Sequence, residues 1–110
     1  MIFGNRKTVL LERQTLTVGE FDISVDGAYR NVKTFPLEVR KGKSVSVYVV
    51  SDNGVDVSIV GLNGRNMKFM ECVKDGTVGP VVSDGKGTMA LILGVPYGSL
   101  SNVEVEAWME

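Results

Sequence analysis

At 110 residues the chain is expected to form one domain, residues 1–110, burying roughly two-thirds of its unfolded surface without metal or disulfide staples. A formal charge of −1 gives no basic surface to displace counterions from a phosphate backbone, so nucleic acid is not an expected partner. The single cysteine excludes an internal disulfide, and the lack of histidine removes Ser-His-Asp and Cys-His catalysis, His-ligated zinc and cupredoxin copper.

Nineteen valines against three alanines favour strands, because branched side chains pack on a pleated surface and lose rotamer freedom in a helix. Arg6 and Lys7 are followed only by the short apolar run Val9-Leu10-Leu11, too short for a secretory signal or a membrane span. A first strand is predicted from Thr8 to Leu11, continuing toward Val18 and broken by Gly19. Phe21, Ile23 and Val25 alternate with polar residues and predict a second strand, ending at Asp26-Gly27. Tyr29 to Arg40 predicts a third. Pro36 cannot donate to a ladder, so this strand belongs at an edge or carries a bulge. Lys41-Gly42 makes the next turn.

Ser44–Val50 and Val55–Val60 then read as a hairpin joined by Ser51-Asp52-Asn53-Gly54, since Asn and Gly tolerate left-handed backbone. Asn63-Gly64 predicts another turn, and Met67 to Val73 a strand whose alternation is broken. Cys72, in that run, is expected to be a buried or half-buried thiol. Asp75 to Gly87, with Gly76, Gly79, Gly85, Gly87 and Pro80, reads as a long mobile connection holding a short strand at Val81-Val82. Met89 to Val95 is apolar at nearly every position and predicts a central strand covered on both faces. Val103, Val105, Ala107 and Met109 finally alternate with Glu104, Glu106, Trp108 and Glu110. Together these predict an all-β fold, an antiparallel two-sheet β-sandwich (jelly-roll or Ig-like) of seven to eight strands.

No motif carries reaction chemistry. Glu104, Glu106 and Glu110 share one strand face and read as a solvated surface. Gly85-Lys-Gly-Thr-Met-Ala90 has the spacing of a dinucleotide fingerprint, but that mechanism needs a following helix, and Thr88 to Val95 before Pro96 allow about two turns at best and, being rich in Ile and Leu, favour a strand. Asp26, Asp52, Asp75 and Asp84 lie near glycines without a calcium-loop spacing and read as turn residues. No cofactor or metal is therefore expected, and the chain is not expected to be an enzyme. Tyr48 and Trp108 stand on the polar side of their strands, where an aromatic ring either stacks a sugar or anchors a protein, unless Met1–Leu11 or a partner subunit covers both.

The stretch from Phe35 to Gly64, with its Lys41-Gly42 turn, Val-rich strand, Val55-Asp-Val57 core and Asn63-Gly64 turn, resembles the middle of a GOLD (Golgi dynamics) type β-sandwich. It is equally similar to the sandwich found C-terminal in secreted bacterial and archaeal peptidases. Gly87–Leu93 lies where such domains carry a Gly-x-Tyr strand, with Met89 in place of the Tyr, and Val103–Met109 resembles their closing strand. The resemblance implies a non-catalytic module for protein or cargo contact, usually appended to something larger. The expected function is thus protein–protein interaction, with carbohydrate binding through Tyr48 and Trp108, or a viral or cell-surface structural subunit, as alternatives. Self-association through an edge strand is a further expected partner mode. Membrane insertion is not expected. A cytoplasmic location is expected if the chain is complete, an extracellular or cell-surface one if it is a cut domain.

Overall fold

In the computed structural model, which describes residues 7–19, 32–96 and 98–110, alternation of apolar and polar side chains produces strands throughout. Six are found among the described residues: β1 (Thr8–Gly19), β2 (Val32–Val39), β3 (Ser44–Val60), β4 (Asn66–Val82), β5 (Gly87–Gly94) and β6 (Leu100–Met109). All pairings are antiparallel. The strand expected at Phe21–Asp26 lies outside the described residues.

The long β3–β4 hairpin organises the sheet. One edge of β3 is paired along its length with β4. The other edge is shared: residues 45–51 pair with β6, and residues 56–60 pair with β5. Beyond these lie β1, on β6, and β2, on β5. The sheet therefore forks in the middle of β3, and its two ends curl until β1 comes against β2, giving a nearly closed, barrel-like layer. Among the described residues β2 ends the strand order, the edge position expected for Pro36.

Two predicted connections are strand instead. Ser51–Gly54 is not a hairpin turn but an insertion within β3, since Val50 pairs with Asp75 and Val55 with Val73, leaving four β3 residues opposite Lys74 alone. A bulge of this kind bends a strand and increases its twist, which lets β3 leave one partner and take another. The real turn is at 61–65, where Gly64 has φ +78° and the Gly61 amide donates to the Arg65 carbonyl at 2.8 Å. Asp75–Val82 likewise belongs to β4, paired with residues 44–50 of β3, and only residues 83–86 form the loop. Merging of these segments leaves six strands among the described residues, where seven or eight were expected for the chain.

One face of the sheet forms the core. Val45, Val47, Val49, Val55, Val57 and Ile59 of β3 are buried with Leu37, Val39, Met89, Leu91, Leu93, Val103, Val105, Ala107 and Met109. Burial of branched side chains on one face is the main term stabilising such a sheet. β5 is central but not covered on both faces: Met89, Leu91 and Leu93 are buried, whereas Ala90 and Ile92 are only half-buried. Its start at Gly87 is extended strand, so no helix follows the glycines of the 85–90 run and no pyrophosphate cradle forms.

The fork is fastened by side chains of the insertion. Ser51 Oγ donates to the Val73 carbonyl at 2.6 Å and accepts the Gly54 amide at 3.0 Å. Asp52 Oδ1 accepts the Asn102 amide at 2.8 Å, its Oδ2 accepts the Asn102 side chain at 2.9 Å, and Asn53 donates to the Leu100 carbonyl at 2.8 Å. These bonds, led by the Asn102 side chain, hold the Asp52 carboxyl below the usual carboxylate range. A lowered folded pKa adds stability above the ordinary carboxylate value of about 3.9, lost as pH falls through the lower folded value. Asp52→Asn is therefore expected to lower the urea midpoint near neutral pH and to converge with the parent in strong acid, as read by circular dichroism. A constant gap between the two at every pH would remove this role from the carboxylate.

Candidate contact surface

The period of two that turns Val103, Val105, Ala107 and Met109 inward turns Glu104, Glu106 and Trp108 outward on β6. On the neighbouring β3, Ser46 lies opposite Trp108 and Tyr48 opposite Glu106. Tyr48 and Trp108 are thus diagonal neighbours on one sheet face, about 7–8 Å apart between Cα atoms by ordinary strand spacing. The structure brings together the two aromatics singled out in the sequence, each half-buried.

Each ring carries a cation from the β1 segment. Lys7 Nζ lies 4.5 Å from the centroid of the Trp108 ring, and the Arg13 guanidinium carbon lies 5.7 Å from that of Tyr48. Both distances are within the range in which a ring quadrupole attracts a positive charge. Arg13 also pairs with Glu104, whose hydrogen bond raises the guanidinium pKa further. The polar atoms of the rings are bound to acids. Trp108 Nε1 donates to Glu110 at 3.0 Å, and the Tyr48 hydroxyl donates to Asp75 Oδ1 at 2.7 Å. The Asp75 bond pushes the Tyr48 phenol above its ordinary value, so the ring stays a neutral donor at physiological pH. Between β1 and β6 a shallow groove of about 190 Å³ is lined by Lys7, Val9, Glu12, Arg13, Glu106 and Trp108.

A second and larger cleft, about 580 Å³, opens beside the fork and is lined by Asn53, Asp56, Glu71, Cys72, Pro96 and Leu100 among others. Cys72 is exposed there, contrary to the expected buried thiol. The reason is local: Asp56 of β3 faces two β4 residues, Glu71 and Cys72, and this bulge puts Cys72 at φ 52°, turned away from the core. Its amide donates to Asp56 Oδ1 at 2.9 Å.

Two of the remaining sequence candidates, Asp52 and Asp75, have structural partners. Asp52 holds Asn102, Asp75 accepts from Tyr48, and Asp26 lies outside the described residues. Among the described residues no three His, Cys, Asp or Glu side chains converge as metal ligands would. The sequence offered Met1–Leu11 as a cover for the two rings, and Lys7 of that segment lies over Trp108, but neither Lys7 nor Arg13 was singled out as a cationic partner, because Arg13 and Glu104 are separated by most of the chain. A basic residue in a strand next to the aromatic one would have been the only available signal. No family model matches this chain, and no curated protein matches it.

Proposed function

We propose that this chain is a non-catalytic interaction module, a two-layer β-sandwich built around the forked β3–β4 hairpin, that contacts protein through the Tyr48–Trp108 face. The observation that carries the reading is the pair of half-exposed aromatics side by side on a sheet face whose reverse side is the core. Tyr and Trp supply large contact area with few rotatable bonds and a polar handle, which is why they concentrate at interfaces. The resemblance of residues 35–64 to GOLD-type and peptidase-associated sandwiches points the same way. Sugar stacking is the weaker alternative, because Lys7 and Arg13 lie over the ring faces that a sugar would need.

The test is a paired capture from native extract on the parent chain and on a Tyr48→Ala/Trp108→Ala variant of unchanged circular dichroism. Proteins retained by the parent and lost on the variant are the expected result. Identical capture by both would overturn the choice of face, and polysaccharide quenching of Trp108 fluorescence would favour the sugar alternative.

A second reading, self-assembly, rests on a different observation. Phe69 is 46% exposed, Met67 and Met70 each 38%, and β4 is paired only with β3 among the described residues. An open apolar edge is a template for strand addition. Lys68 and the bulge at Glu71–Cys72 interrupt it, and interruptions of this kind are how edges avoid pairing. Elution well above 11.9 kDa at micromolar concentration is the outcome that would favour assembly.

A further inference from the structure

Resting on the proposed contact face, we infer that its partner is a lysine- or arginine-bearing protein segment, for which Lys7 and Arg13 act as internal stand-ins. The face contains two seats of the same make. In one, the Trp108 ring and the Glu110 carboxylate stand together, and Lys7 occupies the ring. In the other, the Tyr48 ring is joined by Glu104 and Asp75, and Arg13 occupies it. A ring beside a carboxylate is suited to a cationic side chain, since the quadrupole and the negative charge attract it together.

Charge complementarity extends beyond the seats. Glu104, Glu106, Glu110 and Asp75 outnumber Lys7 and Arg13, so the face stays acidic with both internal cations in place. An acidic or phosphorylated partner would meet repulsion. A neutral partner would displace the cations and offer the carboxylates nothing in return. A basic segment replaces each internal cation with one of its own, and a further charge meets Glu106 on the same face.

Arg13 sits on, and Lys7 immediately before, a strand that can yield them. Among the described residues β1 is an end strand, and its ladder to β6 is irregular between Val9 and Leu11 and again between Leu11 and Gln14, where Arg13 lies. Both side chains are long and attach to the face through their tips, so they can swing away while the ladder at 14–19 stays paired.

The probe is a fluorescein-labelled decapeptide of alternating Arg and Gly, titrated with the full chain at low salt and followed by anisotropy. A Glu-Gly decapeptide serves as control. The Arg-Gly peptide is expected to bind saturably and more weakly as salt rises, while the Glu-Gly peptide does not bind. Tyr48→Ala and Trp108→Ala should each weaken binding. Removing an internal competitor should strengthen it: Lys7→Ala is expected to gain about two- to five-fold, the range of one exposed cation–ring contact. Lys68→Ala makes the same charge change at the far tip of the hairpin and should gain less. Equal binding of both peptides, or equal gains for Lys7→Ala and Lys68→Ala, would overturn the inference. If capture from extract depends on Tyr48 and Trp108 while the Arg-Gly peptide fails to bind, the contact face stands and only the basic partner is lost. If neither shows dependence on the two rings, both fall.

Discussion

Leu91→Ala is expected to cost about 2–5 kcal/mol of stability, the usual range for emptying a buried leucine site. That is a large share of the roughly 5–15 kcal/mol that holds a domain of this size together. Leu91 is fully buried, and on β5 it pairs with Ile59 of β3 on one side and Phe35 of β2 on the other. Strands fixed on both flanks leave little freedom to collapse onto the vacated volume, which places the cost toward the upper part of the range. The neighbouring Ile92 points to the opposite face and is half-buried, so Ile92→Ala should cost clearly less. Urea denaturation followed by circular dichroism measures both. Equal costs at the two positions would mean that β5 does not present Leu91 to the core, and the pairing of β5 with β3 would have to be redrawn.

Alternation was enough to assign sides. Leu37, Val39, the odd-numbered β3 residues Val45 to Val49 and Val55 to Ile59, and Val103, Val105, Ala107 and Met109 of β6 are inward in both sequence and structure. Tyr48 and Trp108 were legible as outward for the same reason. Their common face was not, because it depends on β3 pairing with β6 across more than fifty residues, and period carries no information about which strands meet. Turn chemistry misled at Asp52-Asn53-Gly54, since residues that tolerate left-handed backbone serve a bulge as well as a turn. What distinguishes the two is a distant partner, here Asn102, which donates to Asp52. The glycines of 75–82 misled in the same direction, as a ladder to β3 outweighs their weak strand preference. The broken alternation around Cys72 was visible, but its cause, two β4 residues facing Asp56, appears only once the hairpin partner is known.

Gly54→Ala discriminates between those readings of the insertion. At a free hairpin tip the substitution would be a local affair, indifferent to Cys72. In the fork, Gly54 has φ +89°, and an added Cβ would lie 2.5 Å from Cys72 Sγ and 3.4 Å from Cys72 Cα. The left-handed backbone alone is expected to cost about 1–3 kcal/mol for a residue with a side chain, and the sulfur contact adds to it. Cys72→Gly removes that sulfur and also relieves Cys72 of its own positive φ, so by itself it should be neutral or stabilising. In the double variant the contact part of the Gly54→Ala cost should vanish while the backbone part remains, giving a nonadditive cycle by urea denaturation. Strict additivity would show that the two bulges do not touch. β3 would then lack the packed pivot by which it passes from β6 to β5, and the Tyr48–Trp108 face would lose the rigid support that a contact surface needs.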